Sequence, residues 1–326
     1  MLWFFKDSRY PFLKWRRKAY MVSGAVLGIG IAAMLVNIFA IGNWMNYGVD
    51  FTGGTFIQVR VAEGTTDADL REALGGAQAP SITRFGGEYE FAIRAPLVEG
   101  LETEEVAQQI RSQLETSPIV GDFEVVRTEI VGAVIGEELQ QRAAIAIFLS
   151  FLLTLIYIAF RFEFRFGLAS VIATFHDILV ILGFLALFRV EISLPTVAAV
   201  LTIIGYSLND TIVVFDRIRE NLNRKGGRRE DPLTLINRSI NEVLPRTVVT
   251  SGTTLLVLGA LLILGGAVIR DFAIVLILGI IVGTYSSIFV ASPALLEIQK
   301  KMGTAEDAKK KKRRRAREKE RKAIPV

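Results

Sequence analysis

The chain has no cysteine and a single histidine among its 326 residues. The first absence excludes a disulfide scaffold, a thiolate nucleophile and a cysteine-ligated metal. The second excludes a metal centre built on several histidines. Charge is missing in a patterned way. Charged residues make up 22% of the chain, yet they fall in blocks separated by long uncharged runs, whereas a soluble protein of this length spreads them evenly. What fills the gaps is apolar: 51% of the residues are hydrophobic and the mean hydropathy is positive.

An apolar run of 18 or more residues reads as a membrane-crossing helix, because about 20 residues span the hydrocarbon. Six such runs occur: Ala19–Gly42, Ala143–Phe160, Gly167–Phe188, Pro195–Phe215, Thr247–Val268 and Phe272–Leu296. The first follows a basic, aromatic lead, is too long for a signal peptide and lacks a small-residue cleavage pattern, so it reads as a retained anchor. Lysine and arginine in the flanks set the orientation. The N-terminal flank carries Lys6, Arg9, Lys14, Arg16, Arg17 and Lys18, the loop Asp216–Arg246 carries eight basic residues, and Lys300–Lys322 carries thirteen. Both ends are therefore expected in the cytoplasm. Residues 43–138 fall outside, with seventeen acidic and six basic residues, a net of −11. The chain as a whole is +5, so the remainder carries +16.

The expected organisation is a cytoplasmic interfacial segment (1–18), a first span (19–42), an external domain (43–138), five further spans within 139–296, and a basic cytoplasmic tail (297–326). Between spans four and five an amphipathic helix is expected near 232–244, capped by Asp231, with Pro232 in its first turn and Leu233, Ile236, Ile240, Val243 and Leu244 on one face. It is expected to lie along the inner membrane surface. Trp3, Phe4, Phe5, Phe12, Leu13 and Trp15 suggest a second interfacial segment.

The external segment is punctuated like a small α+β domain. Phe56–Val61, Ile82–Phe85, Tyr89–Ala95 and Phe123–Val131 read as strands, with Gly86-Gly87 as a hairpin turn. Thr66–Leu74, capped by Thr66, and Leu101–Thr116, capped by Thr103, read as helices. The order βαββαβ is the ferredoxin-like pattern. No catalytic set stands out in it.

Ionisable and polar groups inside the apolar runs carry the functional expectation, because each costs several kcal/mol without a partner. His176 and Asp177 sit in the third run. Ser207, Asp210 and Thr211 in the fourth share a helix face at i, i+3, i+4 spacing, with Asn209 beside them. Thr247, Thr250, Ser251 and Thr254 form a second polar seam in the fifth, with Arg246 at its end. The two seams are expected to face each other. Hydroxyls of this kind also serve as packing hydrogen bonds between helices. An aspartate that takes up and releases a proton suits a relay, with burial and a nearby arginine acting on it in opposite senses. Small residues recur every four positions at Gly24, Gly28 and Ala32, and at Gly279, Gly283, Ser287 and Ala291, which suits packing within the chain or against a partner's helix.

Several stretches carry a family resemblance: Val49-Asp50-Phe51-Thr52-Gly53-Gly54-Thr55, the run Gly205–Asn221 with its Gly-Tyr-Ser-Leu-Asn-Asp-Thr opening, Arg246–Thr254, and Gly283–Ile288. Ile130-Val131-Gly132 with Gly136 adds to these, although Ala133 stands where a proline is common. Together they resemble the SecF side of the SecD/SecF family of bacterial protein-export membrane subunits, in the resistance–nodulation–division superfamily. The resemblance implies one half of an assembly in the inner membrane. Its partners would be SecD, the Sec translocon channel and the translocating polypeptide. It implies no cofactor, with protons as coupling ion, and no enzymatic activity. Asp210 and Arg246 match positions implicated in proton passage, and His176-Asp177 matches a motif in span three. Asp50, Phe51, Gly53 and Gly54 would couple the bundle to the external domain. The alternatives are a stand-alone exporter of lipids or small hydrophobic molecules from the same superfamily, and a structural scaffold or insertase subunit. The run Lys309–Arg315 is expected to attract anionic lipid and no specific nucleic acid.

Overall fold

A computed structural model describes residues 8–85, 87–97, 102–161, 163–224, 230–265 and 267–302. Trp3, Phe4, Phe5, Gly86, Leu101 and the basic run Lys309–Arg315 lie outside the described residues. In chain order the elements are α1 (Arg16–Ile41), β1 (Asn46–Tyr47), α2 (Val49–Thr52), β2 (Gly54–Val61), α3 (Asp67–Ala73), β3 (Ser81–Arg84), β4 (Glu90–Ala95), α4 (Thr103–Thr116) and β5 (Phe123–Val131). There follow α5 (Ala133–Arg161), α6 (Phe164–Leu187), β6 (Glu191–Ile192), α7 (Leu194–Asn223), α8 (Pro232–Leu264) and α9 (Ala267–Ser286), which continues through a π-helical turn, Ser287–Ala291.

Among the described residues six helices are long and apolar enough to cross a membrane. Their burial sorts them. Over their most apolar windows α6, α7 and α9 are 56% buried, while α1 and α5 are 6% buried. Spans three, four and six therefore form the centre, and spans one and two pack on its outside. Glycine sets the closest approach of that outer layer: a methyl group built on Gly30 of α1 would stand 2.7 Å from Gly183 Cα of α6. Only the α9 small-residue seam packs within the chain. A methyl on Gly283 would stand 2.9 Å from Ser207 Cβ, whereas Gly24 and Gly28 have nothing within 4 Å.

The α/β domain has strand order β3-β4-β2-β5, antiparallel throughout, with α3 after β2 and α4 after β4. This is the βαββαβ order expected from the turn pattern. Ile57, Val59 and Val61 alternate on one face of β2 and meet Leu70 of α3 and Val106, Ile110 and Leu114 of α4 in a single core. Thr66 caps α3 through a capping box with Asp69. The second cap differs from expectation. Glu102, not Thr103, is the N-cap of α4, in a reciprocal box with Glu105, so Thr103 becomes the first helical residue.

The amphipathic segment also differs. It is not a separate helix on the membrane surface: α8 runs unbroken from Pro232 through Pro245 to Leu264. Leu235, Ile236, Ile240 and Leu244 are buried against Phe12, Leu13, Phe215 and Ile218, so the apolar face is satisfied inside the protein. Pro245 cannot donate to the Asn241 carbonyl one turn back. Ser8 Oγ–H takes that place at 3.4 Å. Phe12 and Leu13, expected at an interface, likewise enter the core, while Trp15 stays exposed.

Candidate functional site

The centre of the bundle holds two carboxylates. Asp177 is 1% exposed and Asp210 5% exposed, and hydroxyl groups from neighbouring helices turn towards both. His176 Nδ1–H donates to Asp177 Oδ1 at 2.9 Å, and Ser207 Oγ–H of α7 donates to Asp177 Oδ2. Ser286 of α9 borders the same carboxylate. Asp210, one turn below Ser207 on α7, accepts from Ser287 Oγ–H at 3.2 Å. Ser286 and Ser287 are adjacent where α9 passes into its π-helical turn, so one short stretch of α9 serves both aspartates. The glycine seam explains how α9 comes close enough: its backbone lies against α7 at Gly283, one turn before Ser287.

The facing of the seams departs from expectation. The polar face of α7 meets α6 and α9, and only Thr247 of α8 is turned to Asp210, without a hydrogen bond of normal geometry. Ser251 pairs with Thr284 of α9 at 2.7 Å. Thr250 and Thr254 bond back to the carbonyls of Arg246 and Thr250, and Tyr206 O–H reaches Thr250 O and Thr254 Oγ1 at 3.3 Å. Hydroxyls one turn from a free carbonyl satisfy themselves locally, which is why a threonine-rich helix face is a weak guide to its neighbour. Thr211 is buried on the Asp210 face, while Asn209 is exposed on another. Arg246 is exposed and acts on Asp210 through its charge, with no ion pair between them. Ser287 was legible as part of the small-residue spacing and Ser286 only within the Gly283–Ile288 stretch, and neither gives a hint of a carboxylate beside it.

At the other end of α7 stands the Asp50–Gly54 connector. Asp50 Oδ2 accepts from the Leu194 backbone N–H at 2.8 Å, so α2 caps the helix that carries Asp210. Gly48 N–H donates to Ile192 O at 2.9 Å, and β1 pairs in parallel with β6 just ahead of α7. Phe51 is buried edge-on to Tyr47. Gly53 and Gly54 have φ of 71° and 121°, in the region that favours glycine, and Gly136 of α5 packs against Gly53 and Phe51. Arg94 of β4 pairs with Glu191 of β6, a second tie between the α/β domain and the entrance to α7.

Fold and interior together define a polytopic membrane protein with two buried carboxylates, one of them on a helix fastened at one end to an α/β domain. Known proteins carry the same plan. A profile described as "Protein export membrane protein SecD/SecF, C-terminal" matches residues 111–301, and another, "SecD/SecF GG Motif", matches residues 38–64. A protein translocase subunit SecF from Gemmatimonas aurantiaca is 41% identical over 325 residues, which cover 98% of this chain and 96% of that protein. One from Escherichia coli O157:H7 is 38% identical over 291 residues, covering 89% of this chain and 88% of its own. The solved structure of SecDF, a translocon-associated membrane protein from Thermus, superposes with a TM-score of 0.77 at 40% identity; it covers 92% of this chain, which spans 40% of that one. The chain belongs to the SecD/SecF family of protein export membrane proteins.

Proposed function

We propose that this chain is a non-enzymatic accessory subunit of the Sec protein translocase, working with SecD in the bacterial inner membrane, with both termini cytoplasmic and the α/β domain on the far side. The matching SecDF chain is long enough to hold a second half beside the region this chain covers. The basic flanks support the orientation. The basic tail adds attraction for anionic lipid, and the translocon channel and translocating polypeptide are the further partners.

The observation that carries the mechanism is the position of Asp210 on α7, buried and bonded to Ser287, while the far end of the same helix is capped by Asp50. A proton taken up by Asp210 removes its attraction to Arg246 and changes what Ser287 donates to. Helix α7 then repacks against α9. A helix rises about 1.5 Å per residue and moves as a rod, so a shift at Asp210 reaches Leu194. From there it passes through Asp50 and the hinge at Gly53-Gly54 into β2. Asp177, with His176 and Ser207, forms a second hydrogen-bonded group one turn further along α7. Protons are the coupling ion and no other cofactor enters.

The test is Asp210→Asn. It keeps the hydrogen bond from Ser287 possible and removes the titrating group. Gradient-stimulated export should be abolished, while the complex with SecD still assembles. Normal export by this variant would sink the relay and leave a structural scaffold.

A further inference from the structure

At the opposite end of the bundle from the α/β domain, a cleft of about 830 Å³ opens between the N-terminal segment, α7 and α8. That is the size of a small-molecule site. Four cations converge on it: Arg9, Lys14, Arg217 and Arg238. The one carboxylate among the described lining residues, Glu242, is occupied from within. Arg217 Nε–H donates to it at 2.6 Å and Asn221 Nδ2–H at 2.7 Å, and an Arg238 guanidinium nitrogen lies 3.8 Å away. Among the described residues Arg9 and Lys14 have no acidic partner within 4 Å, so the described wall of the cleft carries two uncompensated charges.

That wall is built rather than draped. Two amides one turn apart on α8 grip the backbone of the N-terminal segment. Asn241 Oδ1 accepts from Tyr10 N–H at 2.8 Å, Asn237 Oδ1 accepts from Leu13 N–H at 3.2 Å, and the Nδ2 groups of both donate to Tyr10 O at 2.9 Å. Arg9 and Lys14 flank the gripped residues, and their positions are fixed at the level of the main chain.

The shape of the cleft says what kind of anion it suits. Its α8 lining runs at four-residue spacing through Leu233, Asn237, Asn241 and Pro245. The same helix face continues past the cleft as Val248, Val249 and Leu256, all exposed and apolar, in the part of α8 that crosses the membrane. A polar, cationic end therefore passes directly into an apolar rail. A free phosphate would use only the first. A phospholipid uses both: headgroup phosphate between Arg9 and Lys14, acyl chain along α8.

We propose that this cleft binds the headgroup of an anionic phospholipid, with its chain laid along the exposed face of α8. The residues that build the site do not include the basic run Lys309–Arg315, and the site does not depend on the proton mechanism. The test is native mass spectrometry of the full-length chain in a neutral detergent, with phosphatidylglycerol, phosphatidylcholine, glycerol 3-phosphate or inorganic phosphate as probe. The expected result is one retained phosphatidylglycerol per chain, in preference to phosphatidylcholine, and no retention of the two water-soluble phosphates. Arg9→Gln with Lys14→Gln should weaken that retention on the order of tenfold or more, since two charges near the phosphate are lost. Neutralising Lys309–Arg315 should leave it unchanged. Both cleft residues are exposed, so the double variant should unfold at the same temperature as the parent. Equal retention by the double variant, loss of the lipid on neutralising the tail instead, or retention of inorganic phosphate to the same degree would each overturn the assignment.

Discussion

The α/β domain and the helix bundle are built on opposite plans. In the domain, apolar side chains are inside and acidic and basic groups outside: Arg60, for example, spans the sheet surface from Glu90 to Glu124. In the bundle, the outer faces of α1, α5 and α8 are apolar, and the groups hidden between helices include Asp177, Asp210, Ser207, Ser286 and Ser287. Water is the reason. A domain in water gains by hiding apolar surface, at roughly 25 cal/mol per Å². Helices in lipid gain nothing from hiding leucine, so close packing and hydrogen bonding hold them together. A charge on the domain surface is therefore ordinary, while a charge inside the bundle calls for a function.

The difference makes the largest prediction. Phe91 is fully buried in the domain core. Phe91→Ala should cost the domain about 3–5 kcal/mol, a large share of a typical domain's stability. The expected result is rapid proteolysis within residues 43–138 while the bundle stays intact. Asp210→Asn should do the reverse, abolishing export with little change in unfolding. If the aspartate variant proves the less stable of the two, the domain and the bundle do not differ in this way.

The next test stays inside the bundle. Gly30→Leu drives a side chain into the Gly183 backbone, and overpacking of this kind costs about 1–3 kcal/mol. Gly28→Leu, two residues away and facing open space, should be neutral for the isolated chain. Thermal unfolding in detergent distinguishes them. Equal loss in both would mean that added bulk anywhere on α1, rather than close approach at Gly183, is being measured, since helix propensity alone favours leucine over glycine at both positions.

A smaller effect is expected at the joint between the two plans. Asp50→Ala removes the acceptor at the start of α7, worth about 1 kcal/mol for a helix cap. Export should fall further than so small a loss of stability explains, because the cap is also the link from α7 to β2. Asp50→Asn keeps an acceptor and should retain more export than Asp50→Ala. If the two variants export equally, the cap carries no motion.

How much of this could be read from the residues follows the same division. The six spans and the two interior aspartates were legible, because desolvation in lipid makes an apolar run and a lone carboxylate within it conspicuous. The βαββαβ order was legible from turns and alternation. What escaped depends on residues far apart in sequence meeting in space. Nothing local shows that Ser287 reaches Asp210, that Ser8 replaces the bond missing at Pro245 and lets α8 run through, or that Asn237 and Asn241 hold the backbone near Tyr10. The span-five threonines misled for the converse reason: their hydroxyls satisfy themselves on their own helix.

The smallest prediction tests the claim that surface charge in the domain is ordinary. Partial burial pushes the Glu90 carboxyl up, but hydrogen bonds from Arg60 and Gln58 together outweigh it and hold the group below its ordinary value of 4.5. A carboxyl held low in the folded state stabilises the domain above the unfolded value, and that contribution disappears as pH falls through the folded one. Acidification from neutrality should therefore leave the domain's stability unchanged down to about pH 5 and erode it modestly below. Glu90→Gln, followed by near-ultraviolet circular dichroism of the full chain across that range, should flatten the acid limb slightly. Because Arg60 is half-exposed and screened by solvent, the flattening should shrink further at high salt. A large, salt-insensitive change would place Glu90 with the buried carboxylates of the bundle rather than with the domain's surface.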